Sequence, residues 1–188
     1  MSAAGLRSVC VFCGSASGDR PAWSVAAREL GTQLVAHHVE LVYGGSRQGL
    51  MGTLADTVLQ AGGRVMGIMP TGLVEREAAH RHLTELQVVA TMAERKARMI
   101  ECGDAFVALP GGYGTLDELG EVLTGRQLDL HRKPVALLNV DGYYDALVAF
   151  LDHATQTGFI RPESRRRLIV ATSVSGLFDA LTTQPEPA

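Results

Sequence analysis

Lysine is scarce in this sequence. Of its 17 basic residues only Lys96 and Lys133 are lysine, and the rest are arginine. Chemistry that needs a lysine nucleophile therefore has two candidates. Aromatics are also few, at 5% of 188 residues, and the formal net charge is -3. Such a charge argues against a general nucleic-acid binder, so the run Arg165-Arg166-Arg167 reads as a solvated helix face. No apolar run reaches the roughly 20 residues of a membrane span. The opening MSAAGLRSVCVFCG lacks the charged-then-apolar order of a secretory signal. The expected compartment is the cytoplasm, with no membrane partner. Three cysteines, an odd number, fit a reducing milieu. Cys10 and Cys13 form C-x-x-C inside an apolar, strand-like run. Residues i and i+3 on a strand face opposite ways, so core packing is expected rather than a redox or zinc pair. His80-Arg81-His82 joins no other ligand cluster and reads as a polar loop. No metal and no cofactor are expected.

Two familiar phosphate motifs are missing as well. No segment fits G-x-x-x-x-G-K-[ST], which argues against P-loop triphosphate chemistry. No loop fits G-x-G-x-x-G after the first strand, and the second strand ends Val42-Tyr43-Gly44 without an acid for an NAD ribose.

What is present is alternation. Short apolar runs at 8–14, 39–45, 64–70, 84–90, 105–112, 133–140 and 167–171 read as strands. Amphipathic stretches at 22–38, 49–63, 91–103, 115–128, 143–158 and 174–182 read as helices. Continuous apolar strands separated by helices imply an α/β fold: a doubly wound parallel sheet with helices on both faces. A single domain is expected over 1–182, with 183–188 a disordered tail. Such sheets bind ligands beyond the carboxyl ends of their strands, where the strand order switches.

Three strand-to-helix loops are rich in glycine: CGSASGD (13–19), YGGSRQGLMG (43–52) and LPGGYGTLDE (109–118). Any one of them could be a tight turn. Together they suggest a cradle of backbone N–H groups at helix N-termini for a nucleotide or sugar monophosphate. The candidate contacts are Ser15, Gly44, Gly45, Gly49, Gly52, Gly111, Gly112, Tyr113, Gly114, Thr115 and Asp117. Glu118 has two readings. Thr115-Leu116-Asp117-Glu118 is a capping box, T-x-x-E, in which the glutamate serves its own helix. Alternatively, Glu118 faces a ligand. The helix at 91–103 also opens with a capping box, Thr91 to Glu94. A helical wheel puts Arg95 and Lys96 on or beside its buried stripe and leaves Arg98 to pair with Glu94. A cation at a core face needs a partner, namely an anionic ligand or Glu118, unless it snorkels to water. A phosphate cradle beside one carboxylate and one arginine suits cleavage of an N-glycosidic bond. The carboxylate would act one sugar away from the phosphate, as a base or as a stabiliser of oxocarbenium charge.

These motifs carry a resemblance. CVFCGS, YGG…GLMG, ERKARM, PGGYGTLDE and KPVALLNVDGYYDAL followed by GFI occur in this order over most of the chain. The chain is thereby similar to the Lonely Guy family of cytokinin riboside 5′-monophosphate phosphoribohydrolases, often mislabelled lysine decarboxylases. The resemblance implies a Rossmann-like fold, a homodimer, and hydrolysis of N6-modified AMP to free base and ribose 5-phosphate. It places the catalytic arginine on Arg95, the catalytic glutamate on Glu118 and a substrate-binding lysine on Lys96. Phosphate-binding positions fall on Gly111, Gly112, Gly114 and Thr115, a base-side glutamate on Glu77, and a further contact on Thr124. The chain departs from the family pattern at Ser46-Arg47, at Ala93 and at Thr124-Gly125-Arg126, where a third loop glycine, a histidine and a tryptophan are usual. These changes bear on the pocket wall and base preference. Rival readings are a nucleotide-binding carrier without turnover, a pyridoxal-phosphate decarboxylase using Lys96, and a hydrolase of plain AMP.

Overall fold

The computed structural model describes residues 5–74 and 79–183. Glu77 and the expected tail at 184–188 lie outside the described residues. Seven strands form one parallel sheet in the order β4-β3-β2-β1-β5-β6-β7. They are β1 Ser8–Phe12, β2 Glu40–Tyr43, β3 Val65–Pro70, β4 Glu85–Val89, β5 Ala105–Ala108, β6 Val135–Leu138 and β7 Leu168–Ala171. The helices are α1 Pro21–Ala36, α2 Gly49–Gln60, α3 Thr71–Val74, α4 Met92–Cys102, α5 Tyr113–Gln127, α6 Asp145–Gln156, α7 Pro162–Arg166 and α8 Val174–Thr183. The alternation read from the sequence is therefore the fold, with two short helices, α3 and α7, added.

Both faces of the sheet are covered because the central strands are apolar on both sides. In β1, Val9 and Val11 pack under α1, α2 and α8 with Leu30, Leu54 and Leu177. Cys10 and Phe12 point the other way, toward Met99 of α4, Val122 of α5 and Tyr144. Phe12 stacks on Phe106 with ring centroids 6.0 Å apart. Cys13 returns to the first face, so the two thiols of C-x-x-C lie on opposite sides of the sheet. Burial raises the pKa of both above the ordinary thiol range.

The strand order reverses at β1. Chain leaving β1 goes to β2 on one side, and β5 lies on the other. The loops after β1 and β5 therefore diverge and leave a crevice at the carboxyl edge. Val11 pairs with Val107 and Phe12 with Ala108, which sets both loops at the same height. The Gly14 N–H then donates to Pro110 O at 3.0 Å and ties them together.

Candidate active site

The helix carrying Glu118 starts earlier than the T-x-x-E pattern suggests. Gly112 is the N-cap of α5 and makes no side-chain cap bond. Thr115 thus stands at the third helical position, and of the two readings of Glu118 the capping box does not form. One turn on, Glu118 is turned inward and is only 8% exposed. Its Oε1 lies 3.4 Å from Nη1 of Arg95. The sequence pattern fitted a cap, but a backbone that enters the helix three residues sooner turns the carboxylate toward the crevice.

Arg95 is held from three directions. The helix that carries it is capped as expected: Thr91 Oγ1 accepts from the Glu94 N–H at 3.1 Å. Glu94 reaches back to the Ala90 N–H at 2.9 Å. Glu94 is therefore occupied, and Arg98 bonds Gln87 and Glu101 instead of the expected Glu94. Arg95 itself is 7% exposed and does not snorkel. Its Nε donates to Ile68 O at 3.0 Å, and its Nη2 to Gly44 O at 3.2 Å. A buried guanidinium needs such neutral acceptors plus a countercharge, and Glu118 supplies the charge. Gly44 is needed for this arrangement, since a Cβ there would come within 1.9 Å of Nη2.

Above this pair lies a cavity of about 230 Å³. Ser15, Gly44, Arg95, Gly112, Tyr113, Gly114, Thr115 and Glu118 line it, with Val11, Cys13, Gly14 and Met51. The first intrahelical bond of α5 runs from Leu116 N–H to Gly112 O at 3.1 Å. The N–H groups of Tyr113, Gly114 and Thr115 precede it and have no acceptor within the helix. A Cβ at Gly112 or Gly114 would meet nothing within 4 Å. Packing therefore does not demand glycine at either place; the open space lies over the helix N-terminus, where an anion binds best. Gly111 differs, because its Cβ would fall 2.1 Å from Thr115 Oγ1. Tyr113 is 93% exposed at the cavity mouth.

The second glycine loop shapes the site more than it lines it. Gly49 takes a positive φ of 57°, and a Cβ there would come within 2.4 Å of the Ser15 backbone. Gly52 packs on the backbone of Arg47. The N–H groups of Leu50 and Met51 at the start of α2 reach Ala16 O and Gly14 O, at 3.4 and 3.3 Å. That helix end is thus used by the first loop. Gly45 O accepts from the His80 N–H at 3.0 Å. His80 is buried and its Nε2 lies 2.8 Å from Asp56 Oδ1, so the expected polar loop is a pinned segment.

Lys96, Asp117 and Thr124 fall elsewhere. Lys96 Nζ lies 3.0 Å from Asp117 and 2.8 Å from Glu121. The hydrogen bonds to Glu121 and then Asp117 raise its pKa above the ordinary lysine value. Asp117, Glu121 and Thr124 line a second cavity of about 550 Å³ between α4 and α5. Lys133 Nζ donates to Ile100 O at 2.6 Å and Glu101 O at 3.1 Å, closing the C-terminus of α4. Neither lysine reaches the Glu118 cavity, so a Schiff base in the glycine cradle has no amine to form from.

Sequence reasoning missed Gly14, Cys13 and Met51 as cavity walls. It also missed Tyr143 and Tyr144, whose hydroxyls donate to Gly111 O and Leu109 O at 2.5 and 2.6 Å. The available signal was their place just after β6, beside the switch in strand order.

Comparison with known proteins bears on the family. Residues 51–181 match a family model described as "possible lysine decarboxylase". The chain is 50% identical over 182 residues to a probable cytokinin riboside 5′-monophosphate phosphoribohydrolase of Oryza sativa subsp. japonica, spanning 97% of this chain and 74% of the relative. It is 49% identical over 172 residues to a cytokinin riboside 5′-monophosphate phosphoribohydrolase of Arabidopsis thaliana, spanning 92% and 79%. The molybdenum cofactor carrier protein of Chlamydomonas reinhardtii superposes with a TM-score of 0.70 at 22% identity, over 94% of this chain and 96% of that one. That likeness is one of fold alone.

Proposed function

The chain belongs to the Lonely Guy family of phosphoribohydrolases, and on that premise we propose that it hydrolyses the N-glycosidic bond of cytokinin riboside 5′-monophosphates. The products are the free base and ribose 5-phosphate. The observation that carries this reading is the inward turn of Glu118. A carboxylate is buried against Arg95 directly beside an open helix N-terminus. A carrier needs the cradle but has no use for that pair.

In this reading the 5′-phosphate sits on the N–H groups of Gly112, Tyr113, Gly114 and Thr115, with the Ser15 and Thr115 hydroxyls beside it. The ribose extends toward Glu118. As the bond from C1′ to the base nitrogen breaks, its electron pair leaves with the base and positive charge develops at C1′. Glu118 stabilises that charge and accepts a proton from the attacking water. The base takes up one proton on leaving. Arg95 holds the carboxylate in place, so little reorganisation is needed during the reaction. Phosphate binding supplies remote energy that positions the sugar. Plain AMP fits the same machinery, and we extend the proposal to it as a second substrate.

A second copy of the chain is the proposed partner. Leu116 and Leu130 are exposed and line the cavity between α4 and α5, which supports an interface there. Lys96, Asp117 and Thr124 belong to that face, and Glu77 is proposed for the base side. No helix among the described residues is long and apolar enough to cross a membrane. We place the protein in the cytoplasm, in keeping with its three free cysteines.

Chromatography of incubations with N6-isopentenyl-AMP, AMP and adenosine tests the proposal. Free base with ribose 5-phosphate is expected from the nucleotides and far less from the nucleoside. Tight AMP binding with no base released would favour the carrier.

A further inference from the structure

Adjacent tyrosines, Tyr143 and Tyr144, hold the glycine loop from behind. Tyr144 OH donates to Leu109 O at 2.6 Å, and Tyr143 OH to Gly111 O at 2.5 Å. Between them, Pro110 O accepts from the Gly14 N–H at 3.0 Å. Three successive carbonyls of the loop are thus fixed. All peptide bonds of the described chain are trans. In a trans peptide the C=O and the following N–H point in opposite directions. Fixing a carbonyl therefore aims the amide on the far side of the same plane.

The three planes differ in what they aim. The Leu109 carbonyl shares its plane with Pro110, which has no N–H. The Gly111 carbonyl shares its plane with the Gly112 N–H. Gly111 and Tyr143 line a neighbouring hollow of about 310 Å³ on the outer side of the loop. Gly112 lines both that hollow and the Glu118 cavity. A carbonyl held on the Tyr143 side directs the N–H of the same plane away from Tyr143, and Gly112 is also a wall of the Glu118 cavity. Glycines on both sides of that plane make a flip easy, so the loop needs an external hold.

We infer that Tyr143 is a positioning residue: its hydroxyl locks the Gly111–Gly112 peptide so that the Gly112 N–H stays aimed at the substrate phosphate. This rests on the reading that the α5 N-terminus holds the phosphate. Tyr143 is itself well anchored. Its ring packs edge-on against Trp23 and Tyr144, at 5.3 and 4.9 Å. Asn139 fixes the segment, accepting from the Tyr144 N–H and donating to Asp145, each at 2.7 Å. Tyr143→Phe removes the hydroxyl and keeps these ring contacts. Tyr144→Phe is the matched control, because its hydroxyl holds a plane with no amide to aim.

The test is calorimetric affinity for AMP and for adenosine, measured on the full chain and both variants alongside thermal stability. The wild type should prefer AMP over adenosine. Tyr143→Phe should shrink that preference by roughly fivefold or more, the worth of one lost hydrogen bond, with adenosine affinity kept. Tyr144→Phe should lower the melting temperature, since it leaves a buried carbonyl unpaired, and should keep the preference. An unchanged preference in Tyr143→Phe, or an equal loss in Tyr144→Phe, overturns the lock. A wild type that does not prefer AMP overturns the phosphate reading first, and the lock with it; turnover of the wild type is read separately.

Discussion

Arg95 and Glu118 face each other beneath the glycine loops, Nη1 to Oε1 at 3.4 Å, and both are more than nine-tenths buried. The pair is not what caps α4, since Thr91 and Glu94 already do so. In the proposed reading the pair sits one sugar away from the phosphate.

Arg95→Lys keeps the charge but loses the fork that reaches Ile68 O, Gly44 O and Glu118 at once. A single ammonium cannot replace it. Stability should fall by about 1–3 kcal/mol, because a buried carbonyl is left unpaired. Turnover should fall further, by roughly 100-fold, as Glu118 loses its fixed position. Denaturant unfolding and steady-state rates check both, and retained turnover would count against the role given to Arg95.

Glycine substitutions should separate shape from binding. Gly44→Ala puts a Cβ within 1.9 Å of Arg95 Nη2 and should displace the guanidinium, lowering kcat. Gly114→Ala meets nothing within 4 Å and lies in the first turn of α5. It should raise stability, by up to about 1 kcal/mol. It should also raise KM for nucleotides by crowding the phosphate. Melting temperature and KM measured together test this; a Gly114→Ala variant with unchanged KM would remove the phosphate from that place.

His131 should make stability depend on pH. Its Nε2 lies 2.9 Å from Val122 O and therefore carries the proton. Its Nδ1 is buried with no hydrogen-bond partner among the described residues. Burial lowers its pKa, the bond to Val122 opposes that, and Lys133 and Arg126 lower it further. The unfolded chain therefore takes up the proton first, near the ordinary value of 6.5. This contribution to stability is complete above that value and is lost as pH falls through it toward the lower folded pKa. Urea unfolding at about pH 7.5 and about pH 5.5, on either side of the transition, should show the loss. His131→Gln should lose less over the same interval.

The sequence was informative where local rules decide. Apolar runs marked the strands of the sheet, and glycine clusters marked the loops at its switch point. The wheel for α4 put Arg95 beside the core, where it lies, because helical periodicity fixes direction within one element. Partners across elements were not legible. T-x-x-E fits a cap or an inward acid equally well, and only the position of Gly112 at the N-cap decides. The resemblance gives Lys96 a substrate contact and adjacency puts Asp117 with the cradle; the two pair with each other beside Glu121, outside the lining of the Glu118 cavity. The tyrosine hold on residues 109–111 joins segments over thirty positions apart, and no local pattern announces it.

The central claim is that Glu118 acts on substrate. The most direct measurement is the rate of base release from N6-isopentenyl-AMP by the wild type and by Glu118→Gln, with melting temperatures for both. Glutamine keeps the size of the side chain and its capacity to hydrogen-bond while removing the charge and the basic oxygen. The account predicts a fall of roughly 10²–10⁴ in rate with the folded state retained. A Glu118→Gln protein that releases base at close to the wild-type rate would contradict it.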